Sequence, residues 1–166
     1  MEIFKGVLAR DQLISMPNIQ PRSLFICNLD NSDEPGSHWV AVLFTKSRVE
    51  YFDSYGLPPI FDDLKFFLLR YGTKLSYNSI QLQGMDTTMY GNYCIIFALL
   101  RARNFSLPTI VSTLMSVNDS HSRDHAVGTY INTAYDNLIN AHGGISDIHV
   151  QGSQTLCSNS MLINKE

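Results

Sequence analysis

An α+β domain is the fold class this sequence predicts, on three observations. Short apolar runs rich in β-branched and aromatic residues crowd the first half of the chain. Runs of helical period fill the second half. No regular alternation of strand and helix, as in a βαβ fold, links them. A length of 166 residues suits one domain with a real core. The expected boundaries are residues 1–145 for that domain and 146–166 for a C-terminal tail, where periodicity fades and the chain is expected to fray.

The elements follow in order. Asp11 to Pro21 holds two prolines among polar residues and reads as a loop or short helix. Ser23–Leu29 is a short apolar run, a buried strand. Asn31–Ser37 is loop by composition. His38–Phe44 and Val49–Asp53 flank a tight turn at Lys46 and Ser47 and form a hairpin. Phe61–Tyr71 carries Leu64, Phe67, Leu68 and Tyr71 on one helical stripe. Tyr77–Gln83 reads as a further strand. Asn92–Arg103 is apolar enough for a buried helix. Pro108 suits the first turn of a helix that runs to about Val117. Asp124–Ala141 is the last helix, ended by Gly143 and Gly144. The assembled picture is a small central mixed sheet packed by a helix that starts near Tyr90, with the C-terminal helices covering the other side or the end.

Composition removes several function classes. Twelve basic residues against fifteen acidic leave a net charge of −3, which gives no support to DNA binding. No apolar run approaches the roughly 18 residues of a membrane span, and the first residues lack a signal-peptide pattern. Three widely spaced cysteines, Cys27, Cys94 and Cys157, make neither a disulfide framework nor a zinc cluster and fit a reducing, intracellular setting. They raise the question of a nucleophilic thiol.

The hairpin supplies the first candidate chemistry. With Lys46 and Ser47 at the turn, Val40 faces Asp53, and His38 lies on the same face two residues away. His38 and Asp53 are then diagonal neighbours at roughly 7–8 Å between Cα atoms, within side-chain reach. A slip of one residue would separate them. Beside a nucleophile, such a carboxylate orients the imidazole, and the imidazole activates the attacking group. Taken alone, the pair reads more readily as a surface histidine at a strand end with a turn-forming aspartate.

Gly36-Ser37-His38-Trp39-Val40-Ala41-Val42, then Tyr51-Phe52-Asp53-Ser54-Tyr55-Gly56, then Gln83-Gly84 and Gly91-Asn92-Tyr93-Cys94, change that balance. Together and in this order they resemble the adenain-like cysteine endopeptidases, the adenovirus-type enzymes related to the SUMO-specific proteases, and most closely the short members from adenovirus-like viruses and virus-like transposons. The resemblance runs from about Ile19 to Arg103, with weaker likeness to Val127. It implies a papain-like fold of the adenain kind. It also implies His38 as general base, Asp53 as its orienting acid, Gln83 as an oxyanion donor, and Trp39 and Gly91 as substrate-binding positions. The implied partners are polypeptides, viral structural proteins among them. The implied setting is the host cytoplasm or nucleus, with possible association with the virion, and the implied activity is processing of capsid precursors.

One position departs. The family's nucleophilic cysteine opens a Cys-Gly-x-Phe/Tyr-Cys segment, which here reads Tyr90-Gly91-Asn92-Tyr93-Cys94. Tyr90 stands at the nucleophile position, seven residues after Gln83 as in the adenovirus-type enzymes. Cys94 is the alternative nucleophile, but it lies one helical turn, about 6 Å, further along. There the helix terminus no longer lowers a thiol's pKa, and apolar surroundings raise it. A phenol stays protonated at neutral pH and reaches further than a thiol, so Tyr90 is expected to fill the cleft. The expectation is an adenain-like homologue without catalysis that keeps a polypeptide-binding cleft. The alternative is an active endopeptidase using Cys94 or a rearranged site.

Other features carry less. His121 and His125, four residues apart and followed by His142 and His149, could hold zinc on a helix, but no cysteine or acidic cluster completes a site and Ser120–Ser122 reads as loop. No metal and no cofactor is expected. Met85 and Met89 beside Gln83 are read as gap-fillers, with a binding lip of exposed methionines as the alternative.

Overall fold

The computed structural model describes residues 3–72 and 74–141. The chain divides into two units, Met1–Asn132 and Thr133–Glu166. The sheet, the cores and every contact below belong to the first. Of the second, only the helical end 133–141 is described. The expected tail at 146–166, the Gly143-Gly144 stop and Cys157 lie outside the described residues.

The elements are β1 (Phe4–Ala9), α1 (Arg10–Ile14), β2 (Ser23–Asn28), β3 (Trp39–Phe44), β4 (Val49–Phe52), α2 (Asp62–Arg70), β5 (Leu75–Tyr77), α3 (Tyr90–Ala102), α4 (Leu107–Met115) and α5 (Ser120–Ala141). The strands form one mixed five-stranded sheet in sequence order. β2–β3 and β3–β4 pair antiparallel, while β1 and β5 join the edges in parallel. β2 is buried along its whole length, which is why it reads as an unbroken apolar run.

Two cores lie on the two sheet faces. One joins Leu24, Ile26, Ala41, Leu43 and Phe52 to Tyr93, Cys94, Ile96 and Phe97 of α3, Ile110 and Leu114 of α4, and Val127 of α5. Phe52 and Phe97 stack across it at 4.6 Å between ring centres. The other joins Phe25, Cys27, Val40, Val42 and Tyr51 to Leu13 of α1 and Leu64, Phe67 and Leu68 of α2. The arrangement therefore differs from the expected one. α4 and α5 share the face of α3, and α1 and α2 cover the opposite face. Odd and even strand positions are both apolar, so both faces need cover.

The hairpin has the register its turn dictates: Ala41 opposite Phe52 and Val42 opposite Tyr51, closed by Thr45 N–H on the Arg48 carbonyl at 3.0 Å. α4 begins at Leu107, with Pro108 in its first turn and the Ser106 hydroxyl accepting from Thr109 N–H at 3.2 Å.

Two expectations are corrected, and one strand lies outside them. The strand at Tyr77–Gln83 is displaced: β5 ends at Tyr77, and Gln83 lies in irregular chain. Asn78 ends the pairing by substituting its side chain for a strand backbone. Its Oδ1 accepts from Asp53 N–H at 2.9 Å and its Nδ2 donates to the Asp53 carbonyl at 2.5 Å. Ser120–Ser122 is helical, the start of α5, because Asp119 caps it by accepting from Ser122 N–H at 2.8 Å. β1 was not anticipated. It is an edge strand with Phe4 and Val7 more than a third exposed and a register shift at Gly6, so its hydrophobic alternation is weak.

Candidate functional site

The site forms where the chain enters β3, leaves β4 and enters α3. His38 immediately precedes β3 and is delivered by a tight approach at Gly36, whose φ is +89°. That φ lies where L side chains rarely sit, and a Cβ there would stand 2.2 Å from Asn28 Nδ2, so glycine favours the close approach of the 31–37 segment to β2. Asp53 immediately follows β4 and is 1% exposed.

The two side chains meet: His38 Nε2 lies 3.1 Å from Asp53 Oδ1. An ionised carboxylate only accepts, so Nε2 is the donor in this bond. The same Oδ1 accepts from Tyr55 N–H at 2.7 Å, which fixes the carboxylate against its own turn. The imidazole is held between two rings. Tyr55 stacks on it at 5.1 Å between centres and 19° between planes, and Tyr90 meets it at 5.3 Å and 75°, edge against face. Tyr90 is the first residue of α3. Burial, followed by the neighbouring Tyr90, raises the Tyr55 phenol above its ordinary pKa.

Gln83 lies one layer deeper and is fully buried. Its Oε1 accepts from the Ser54 hydroxyl at 2.8 Å. Its Nε2 donates to the Thr87 carbonyl at 2.6 Å and to the Tyr55 hydroxyl at 3.3 Å. The segment from Gly84 to Thr87 is tied in turn to α5. The Asp124 carboxylate accepts from Gly84 N–H at 3.0 Å, the Thr87 hydroxyl at 2.8 Å and the Tyr93 hydroxyl at 2.7 Å. Burial and the bond to Asp124 push the Tyr93 phenol up. Beside it, the buried Arg123 guanidinium donates to the carbonyls of Leu114, Leu82 and Val117.

Cys94 is fully buried within the core under α3. Burial raises its thiol well above the ordinary range, so its surroundings oppose thiolate formation. Cys27 is likewise buried, in β2, and its thiol is pushed up to about 12.

Of the residues singled out from the sequence, the structure brings His38, Asp53 and Tyr90 into one cluster, with Gln83 connected to it through Tyr55. Trp39 is half-buried and packs on the α3-side core, and Gly91 follows Tyr90 in the first turn of α3. His121 and His125 are both exposed, and His121 lies 3.9 Å from Asp86. Among the described residues no group of three metal-binding side chains converges. His142 and His149 lie outside the described residues. Sequence reasoning missed Ser54, Tyr55, Asn78 and Asp124. Tyr55 could have been flagged, since it follows Asp53 by two residues. Asp124 is distant in sequence and carried no signal.

Among the described residues no helix is long and apolar enough to cross a membrane. No family model matches the chain. No curated protein matches it. Among solved structures, the crystal structure of the Se-Met ASFV pS273R protease is similar over 61% of this chain, at 24% identity and a TM-score of 0.38. The match covers 41% of that protein, so this chain spans about two fifths of its length.

Proposed function

We propose that this chain is a catalytically silent homologue of the adenain-like cysteine endopeptidases of viruses and virus-like elements, with a papain-like fold of that kind and a cleft that binds polypeptide. The observation that carries the reading is the filling of the nucleophile position. The His38–Asp53 pair is assembled at 3.1 Å, yet the side chain set against the imidazole is Tyr90. Cys94 is buried one turn further along α3, where burial opposes formation of a thiolate. The motif order His38, Asp53, Gln83 and position 90 supports the ancestry. The partner class that follows is an extended polypeptide, with structural proteins of a particle as the expected source.

The test is thiol reactivity mapped residue by residue. In the folded natural chain Cys94 is expected to resist an electrophilic probe at neutral pH. Tyr90→Cys is expected to create a reactive thiol, and adding His38→Ala should slow it at least about tenfold. Rapid labelling of Cys94 in the natural chain, abolished by His38→Ala, would overturn the reading in favour of an active enzyme. Binding is tested on an array of short peptides: retained peptides should be lost with Trp39→Ala, and an array with no retained peptide contradicts the cleft's role.

A further inference from the structure

We infer that Gln83 is a positioning residue that ties the Ser54–Tyr55 turn to the 84–89 segment, and that its carboxamide is therefore not an oxyanion donor. The inference rests on the functional reading above and deepens it: the silence of the site has a second cause, independent of Tyr90.

An oxyanion donor must hold an uncommitted N–H towards the place where charge develops. A glutamine carboxamide has two such protons and one acceptor oxygen. Here Nε2 donates to the Thr87 carbonyl at 2.6 Å and to the Tyr55 hydroxyl at 3.3 Å, while Oε1 accepts from the Ser54 hydroxyl at 2.8 Å. Both protons are engaged within the protein, and the residue has no exposed surface. Its backbone is held as well: its N–H donates to the Ser54 carbonyl at 3.1 Å, and its carbonyl accepts from Gln81 Nε2 at 2.9 Å. The Thr87 carbonyl also accepts from the Tyr55 hydroxyl at 3.3 Å, closing a triangle of Gln83, Tyr55 and Thr87.

The triangle has a consequence for the imidazole. The ring stacked on His38 belongs to Tyr55, whose hydroxyl is anchored by Gln83 and Thr87. Thr87 is held from its other side by Asp124. Gln83 thus acts on the histidine through a ring, and a substrate carbonyl would have to displace the Thr87 carbonyl or the Tyr55 hydroxyl to reach Nε2.

Hydrogen exchange of the Gln83 side-chain amide in the natural chain is the direct test. Both protons are expected to exchange at least about a hundredfold more slowly than those of an exposed glutamine, as buried, internally bonded amides do. Unprotected exchange would overturn the inference without touching the thiol-based reading. In a Tyr90→Cys background, a peptide aldehyde supplies the second arm. The thiolate sulfur adds to the aldehyde carbon and the carbonyl electron pair moves to oxygen, so affinity reports the oxyanion site, while alkylation rate reports thiol activation by His38. Gln83→Met is expected to change aldehyde affinity less than about threefold and to shift the His38 ring resonances, because the Tyr55 hydroxyl loses one of its two anchors. A hundredfold loss of aldehyde affinity at an unchanged alkylation rate, the size expected for a true oxyanion donor, would overturn it. Failure of Tyr90→Cys to react through His38 would overturn the functional reading and leave the exchange result to decide this one. If Gln83→Met does not fold, amide exchange in the natural chain decides alone.

Discussion

Asp53 holds His38 and its own turn with one oxygen: Oδ1 accepts from the His38 imidazole at 3.1 Å and from Tyr55 N–H at 2.7 Å. The stacked rings of His38 and Tyr55 therefore share a single buried anchor. This places the carboxylate at the centre of the site's geometry whether or not the site performs chemistry.

Asp53→Ala is expected to cost about 2–4 kcal/mol, since it leaves the Tyr55 N–H and the His38 ring without their acceptor in a place water scarcely reaches. Asp53→Asn, which keeps one acceptor oxygen, should cost less. Urea denaturation gives both values, and an unchanged midpoint for Asp53→Ala would show that the anchor is dispensable.

Gly56 closes the same turn at a φ of +75°, and a Cβ there would stand 2.6 Å from the carbonyl carbon of Ile80 and 2.8 Å from its oxygen. Gly56→Ala should therefore lose about 3 kcal/mol, from backbone strain and from a collision with chain that cannot rotate away. Gly91→Ala is the control: nothing lies within 4 Å of its added carbon and it sits in a helix, so thermal unfolding should show it neutral or slightly stabilised.

Tyr51 is fully buried in β4, and among the described residues its hydroxyl has no hydrogen-bond partner. Tyr51→Phe should thus be neutral or stabilising by up to about 1 kcal/mol, since it removes a polar group that folding strips of water without replacement. A loss above that amount, measured in urea, would reveal a partner for the hydroxyl in solution.

The buried thiols set an alkaline limit. Burial raises Cys27 from 9.0 to about 12 and moves Cys94 in the same direction. A raised folded pKa means that the unfolded chain releases its proton first as pH rises. The contribution to stability is complete below about pH 9 and is lost as pH climbs towards 12. Tyr51 and Tyr93, also raised by burial, act in the same sense. Melting temperature should fall steeply above about pH 9, and Cys27→Ala should flatten the fall. Maleimide should modify Cys27 and Cys94 only after unfolding.

Local strand geometry makes the hairpin and the meeting of His38 with Asp53 legible in the sequence. Turn residues Lys46 and Ser47 set the pairing of β3 with β4, and period-two alternation then put His38 and Asp53 on one side, because strand geometry is local and short-range. The stripe of Leu64, Phe67 and Leu68 marked α2 for the same reason. The identity of position 90 was equally legible, being a matter of counting from Gln83. Tertiary structure decided the rest. Whether Gln83 sits in a strand or faces a cleft depends on Asn78 taking over the pairing to Asp53, and on Ser54, Tyr55 and Thr87 taking its three hydrogen-bonding positions. Which face α4 and α5 cover depends on β2 and β3 being apolar on both sides, which periodicity alone leaves symmetric. The hold of Asp124 on Gly84 and Thr87 spans about 40 residues. No local pattern encodes a bond of that reach; only the packed chain brings its partners together.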